Sequence, residues 1–203
     1  MHLEVLVEEP SAEVALTDLL PRIVGKAHTF HIHVHQGKLD LLAKLPGRLR
    51  GYQAWLPEDY RIVVLVDNDT GDCRVLKESL EHAAREAGLA TKSAARSAGD
   101  CCILNRVAVE ELEAWLFGDP AALLAAYPKL PASLGTRPKY RDPDAISGGT
   151  WEALERELRR AGYYPTGMPK VETARNVSRH MDPERNRSKS FQVFRDGIRE
   201  LVR

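Results

Sequence analysis

The stretch Arg61-Ile62-Val63-Val64-Leu65-Val66-Asp67-Asn68-Asp69 decides the fold. Its five consecutive apolar residues, Ile62–Val66, are rich in β-branched side chains. Such a run reads as a strand buried on both faces, which is how a central strand of a parallel sheet looks. The run stops on two carboxylates, Asp67 and Asp69, one residue apart. In open α/β sheets ligands gather at the carboxyl ends of the strands. Closely spaced carboxylates repel, and a hard divalent cation such as Mg²⁺, which takes oxygen ligands, stabilises them. Asp-Asn-Asp-Thr-Gly is also good turn chemistry, so the strand end alone leaves both readings open.

Working outward, strands and helices alternate. His2–Val7 reads as a first strand, broken by Glu8-Glu9-Pro10-Ser11. Ser11 is placed to cap a helix to about Val24, with Val14, Leu16, Leu19, Leu20 and Ile23 near helical spacing and Gly25 at its end. From Thr29 to His35 the pattern alternates, setting Phe30, Ile32 and Val34 on one face and His31, His33 and His35 on the other. Leu39–Leu49 reads as a helix interrupted at Pro46-Gly47, Arg74–Ala87 as an amphipathic helix, Cys101–Val107 as a strand and Val109–Phe117 as a helix. Connections too long for hairpins argue for a parallel sheet, and right-handed crossovers bring Glu8, His35 and Asp67 to one rim. After Gly118 the prolines at 120, 128, 131, 138 and 143 and the Gly148-Gly149 pair mark loops around short helices. Trp151–Ala161 and Ser190–Val202 read as further helices. The expected organisation is an α/β core over 1–118 and a mainly helical, basic part over 119–203 packed on it as one unit.

At 203 residues, 43% apolar and 29% charged, the composition is that of an ordinary globular protein. No apolar run reaches transmembrane length, and the early acids Glu4, Glu8 and Glu9 do not fit a signal peptide. Cys73, Cys101 and Cys102 form no C-x-x-C pair, so neither a disulfide framework nor a cysteine zinc site is expected. A reducing cytoplasm and no membrane partner fit. The zero net charge hides an asymmetry. Residues 1–136 carry 14 Lys and Arg against 19 Asp and Glu, and residues 137–203 carry 15 against 10. An acidic first part and a basic last part could pair a metal centre with a phosphate-binding surface. Scattered, solvated helix charges would give the same counts.

One carboxylate after an early strand and an Asp-x-Asp after a later one is the layout of a Toprim domain. Leu6-Val7-Glu8-Glu9-Pro10-Ser11-Ala12-Glu13 resembles the Val-Glu-Gly-x-x-x-Glu opening of the Toprim domains of OLD-type nucleases, and Val63–Asp69 resembles their Asp-x-Asp strand. Glu9-Pro10 departs from the Gly that related domains often carry there. The rest of the chain resembles a bacterial Toprim-like family of unknown function, often encoded beside AAA or ABC-type ATPases. Its marks here are Glu113-Ala114-Trp115-Leu116, Lys170 and Asn186-Arg187-Ser188-Lys189-Ser190-Phe191.

The resemblance implies a Toprim-like (Rossmann-like) parallel sheet flanked by helices, with a helical C-terminal extension. It implies an Mg²⁺- or Mn²⁺-dependent nuclease working with an ATPase on nucleic acid, in defence against phage or foreign DNA, and an oligomer is compatible with it. Glu8, Asp67 and Asp69 would hold one metal, and Glu13, Asp72 and Glu113 are the candidates for a second. Glu13 equally suits the first turn of a helix, and Asp72 suits a helix cap. At 100° per residue Glu113 lies nearest the Val109–Leu112–Trp115–Leu116 face, where a buried carboxylate needs a partner, while Glu111 points to solvent. Lys170 is the candidate for stabilising a phosphoryl transition state, and Arg187 and Lys189 for clamping phosphate. The His31–His33–His35 row is read as neutral, hydrogen-bonded imidazoles, with His35 nearest the rim. Gly37-Lys38 lacks phosphate-loop spacing. A non-catalytic regulatory module for an ATPase is the competing reading. Haloacid-dehalogenase chemistry is disfavoured, because Thr70 follows Asp69 directly and position 71 is Gly.

Overall fold

The computed structural model describes residues 1–68, 71–95 and 101–203. Among them the strands β1 (His2–Val7), β2 (Thr29–Val34), β3 (Tyr60–Asp67) and β4 (Ile103–Ala108) form one sheet in the order β2-β1-β3-β4. Every pair is parallel. β3 lies between β1 and β4, which is why Ile62–Val66 is apolar without alternation and no more than 2% exposed. Fully burying each such side chain stabilises the fold by about 1.5–3 kcal/mol. The chain leaves β1 toward β2 on one side and later fills β3 on the other. The strand order therefore switches between β1 and β3, and that is where a parallel sheet opens a crevice.

Helices cover both faces: α1 (Pro10–Val24), α2 (Lys38–Trp55), α3 (Cys73–Glu86), α4 (Glu113–Gly118), α5 (Pro120–Ala126), α6 (Thr150–Arg160), α7 (Lys170–Ser178) and α8 (Lys189–Leu201). One core joins Leu3, Val5, Val7, Val63 and Leu65 to α1 and to the C-terminal helices through Trp115, Phe117, Phe191 and Phe194. A second joins Leu6, Ile62, Val64 and Val66 to Leu41, Leu45, Leu49 and Tyr52 of α2 and Leu80 and Ala84 of α3. The odd and even residues of β1 thus face opposite layers, as the period of a strand requires. α7 packs on α1, and α8 packs on β4.

Three local expectations are corrected. α2 is continuous through Pro46 and Gly47, because Leu41, Leu45, Leu49 and Tyr52 bury one stripe on the sheet across the break. Ser11 lies inside α1, whose N-cap is Glu9 with Pro10 at the first helical position. Proline is favoured there because its missing N–H has no helical acceptor. The expected Val109–Phe117 helix begins only at Glu113. Glu110 takes a left-handed φ of 65°, and the Leu112 N–H donates to the Asp67 carboxylate at 3.3 Å instead of opening a helical turn.

Candidate functional site

The crevice between β1 and β3 is lined by acids. Glu8 follows β1 and is 8% exposed, and its Oε1 accepts the backbone N–H of Asp67 at 3.2 Å. Asp67 ends β3 and is 7% exposed. Burial above all pushes its carboxyl well above the usual range. The charges of Glu8, Glu113 and Glu9 add to this, and the Leu112 N–H works the other way.

Asn68 then turns the chain. Its N–H extends the pairing with β4 to Ala108 O (2.9 Å), and its Nδ2 donates to Gly71 O at 2.7 Å. The Lys38 ammonium reaches across from the start of α2 to donate to Asn68 O at 3.0 Å. Lys38 is thus a rim residue that loop spacing could not reveal. Asp69 lies outside the described residues.

Glu113 opens α4 and is 2% exposed. Its Oε2 is buried with no hydrogen-bond partner among the described residues. Burial pushes its carboxyl up to about 7, opposed by the charge of Lys170 and assisted by Glu111 and Glu9. Glu113 is buried, as its place beside the apolar face implies, but on a helix that does not extend back to Val109. The cause is that all of α4 is buried. Glu111 is not simply solvated, which corrects that expectation: it accepts Thr150 Oγ1 (3.0 Å) and Trp151 N (2.9 Å), satisfying donors at the N-terminus of α6.

Lys170 stands at the first position of α7, where the helix dipole disfavours a cation. Its surroundings compensate. Its Nζ lies 3.7 Å from Glu9 Oε1 and 5.1 Å from the Trp151 ring centroid. Burial alone would lower its pKa, but Glu113, Glu9, Glu111 and Asp67 together raise it. Glu9 itself has φ −146°, extended backbone that any residue adopts, so this turn does not require glycine.

Other candidates stand apart. Asp72 is exposed and caps α3, accepting Arg74 N at 2.8 Å. Glu13 is half-buried on the first turn of α1. Neither is a leading contributor to the shifts of Asp67, Glu113 or Lys170. Arg187 donates through both terminal nitrogens to Gly135 O, at 3.2 and 3.1 Å, and Lys189 is exposed at the start of α8. Around them, Asn186 Nδ2 donates to Trp115 O (2.8 Å) and Trp115 Nε1 to Ser190 Oγ (2.9 Å). Asp144 accepts Ser188 Oγ, Ser190 Oγ and Ser190 N within 3.0 Å. The Glu113–Leu116 and Asn186–Phe191 stretches therefore form a clamp that fixes the helix carrying Glu113. In the histidine row, His35 is buried with Nδ1 2.9 Å from Val7 O, next to Glu8, while His31 is exposed on the edge strand β2.

Among the described residues no three His, Cys, Asp or Glu side chains close into a ready-made metal cage. The oxygen-only donor set and the orphaned Glu113 Oε2 nevertheless suit Mg²⁺ or Mn²⁺. Mg²⁺ is commonly held by one or two carboxylates with water and substrate phosphate rather than by a closed protein cage.

No curated protein and no solved structure matches the chain. The strand-end acids, the α4 clamp and Lys170 all fall within residues 7–199, the span matched by the family model Domain of unknown function (DUF4276), and the chain belongs to that family.

Proposed function

We propose that the β1–β3 rim is a divalent-metal site that hydrolyses phosphodiesters, as the resemblance to Toprim nucleases implies. The family match carries no activity with it, so the reading rests on the rim. The observation that carries it is the burial of Asp67 and Glu113, which above all raises both carboxyls above their ordinary range, with the charges of Glu8, Glu113 and Glu9 adding to it at Asp67 and those of Glu111 and Glu9 at Glu113. Such an arrangement costs stability unless a proton or a cation compensates it. In this reading Glu8, Asp67 and Glu113 hold Mg²⁺ or Mn²⁺, with Asp69 as the further candidate ligand. The ion supplies charge neutralisation at a phosphoryl group and activation of water.

The chain's own residues do the rest. Lys170, steadied between Glu9 and Trp151, offers its ammonium to a phosphate oxygen on one side of the crevice. Lys38 holds the Asn68 carbonyl on the other. The Asn186–Ser190 clamp fixes the helix that carries Glu113. An ATPase acting on the same nucleic acid is the proposed partner, carried by the resemblance alone.

The test incubates the purified chain, alone and with any AAA- or ABC-type ATPase encoded beside it, with single- and double-stranded DNA and RNA in Mn²⁺. Cleavage that disappears in Asp67→Asn and Lys170→Ala supports a nuclease. Mn²⁺ binding with every substrate left intact would turn the reading to a non-catalytic, metal-loaded regulatory module.

A further inference from the structure

Midway along β1, four residues before Glu8, stands a carboxylate that packing does not require. Glu4 is 8% exposed on the α2 face of the sheet, whose other residues include Leu6, Ile62 and Val64. Its Oε2 accepts the Tyr52 hydroxyl at 2.9 Å and a short bond from His33 Nε2, and its Oε1 lies 3.3 Å from His2 Nε2. With its Nε2 proton donated to Glu4 and its pKa lowered, burial being the largest cause, His33 presents Nδ1 to a ligand as an acceptor for an N–H or O–H. The His31 ring lies 4.4 Å from that of His33.

A cavity of about 500 Å³ opens beside this group, at the edge strand β2. α2 lines it with Arg48, Gly51, Tyr52 and Trp55, spaced i, i+3, i+4 and i+7 and therefore on one helix face. Glycine inside a helix costs stability. A Cβ at Gly51 would meet no atom within 4 Å, so close packing does not demand glycine there, and its effect is to leave room in the cavity. Trp55 is 56% exposed, with its ring braced by Tyr52 and Tyr60 at 5.6 and 6.3 Å. An aromatic plane, a guanidinium and two imidazoles thus converge on one opening, with a buried carboxylate orienting one imidazole from behind.

We propose that this cavity binds a nucleotide, its base stacked on Trp55 and its phosphate on Arg48, beside the His31–His33 pair. Indole faces stack bases of any identity, and guanidinium matches phosphate in a bidentate fork. A bare phosphate would leave Trp55 unused, and an apolar ligand would leave Arg48 and the imidazoles unpaired. The opening admits either a free nucleotide or one unit of a single strand. At about 3.3 Å per strand residue, Glu4 lies about 13 Å from Glu8 along β1, so this is a second site, and it needs no metal ion.

The test titrates the full chain, in EDTA, with AMP, with a fluorescein-labelled octathymidylate and with inorganic phosphate. Binding of AMP or the oligonucleotide is expected, weakened about tenfold by Trp55→Ala and by Arg48→Ala and largely kept by Trp55→Phe. Tighter binding of the oligonucleotide assigns a strand, and equal or tighter binding of AMP assigns a free nucleotide. Phosphate binding as tight as AMP, no binding of either nucleotide probe at millimolar concentration, or binding indifferent to both alanine variants would overturn the proposal. Because EDTA removes cations, these outcomes stand whether or not the rim proves to be a metal-dependent nuclease.

Discussion

Two groups of buried acids solve the same electrostatic problem in opposite ways. In the C-terminal part, Asp119 is fully buried and saturated: Arg185 donates to both of its oxygens at 2.8 Å, and Asp182 N and Ala122 N add two more bonds. Glu157, 3% exposed, collects Arg137, Lys139, Arg160 and the Tyr140 hydroxyl. Burial raises its carboxyl, yet the Lys139 and Tyr140 bonds and the charges of Lys139 and Arg137 bring it below the ordinary range. At the β1–β3 rim, burial is similar but the surrounding charges are mostly other carboxylates, with Lys170 set among Glu9, Glu113, Glu111 and Asp67. Saturated acids hold a fold together, whereas under-compensated ones are poised to take up positive charge.

The contrast is broken most forcefully at Asp119. Asp119→Ala leaves the Ala122 and Asp182 N–H groups without their acceptor and, since Arg185 is 48% exposed, should cost about 2–4 kcal/mol in urea unfolding. A loss under about 1 kcal/mol would show that the saturated acids are not structural. Glu113→Gln should do the opposite. With its carboxyl raised to about 7 in the folded protein, the folded state binds more protons than the unfolded one between about pH 4.5 and 7. Stability is therefore undiminished below that window and lost as pH rises through it. In metal-free buffer at pH 8 the variant should gain up to about 3 kcal/mol, and at pH 4 the gain should vanish. Equal effects at both pH values would mean that the gain comes from packing. A smaller loss, about 1–3 kcal/mol, is expected for Gly118→Ala. Its Cβ would fall 2.0 Å from Asn186 Oδ1 and 3.0 Å from Ser188 N. Since this clamp positions α4, the same variant should weaken Mn²⁺ binding, and unchanged binding would separate the clamp from the site.

The strands and their shared rim were legible because burial on two faces writes an unbroken apolar run, as in Ile62–Val66, and because parallel crossovers put the strand carboxyl ends on one edge. α2 hid its continuity behind Pro46-Gly47, since tertiary packing of Leu41, Leu45 and Leu49 overrides a local helix breaker. α7 was not foreseen, because Lys170–Ser178 is short and mostly polar and docks by contact with α1. Glu8 and Asp67 could be placed on one rim from strand ends alone, but the adjacency of β1 and β3 that makes them neighbours could not. The approach of Lys170 and Lys38, the tie from Glu111 to α6 and the Asp144 clamp depend on how distant segments fold back, and no local spacing encodes that. The departure at Glu9-Pro10 became intelligible once Glu9 proved to be in extended backbone.

The central claim is that the rim acids are under-compensated because they await a cation, and thermal unfolding with and without Mn²⁺ at pH 8 tests it most directly. Wild type should melt higher with Mn²⁺, by an amount that grows with its concentration. Asp67→Asn should melt higher than wild type in EDTA and gain nothing from Mn²⁺. A wild-type melting temperature indifferent to Mn²⁺, or a Mn²⁺ shift that survives in Asp67→Asn, would contradict the account.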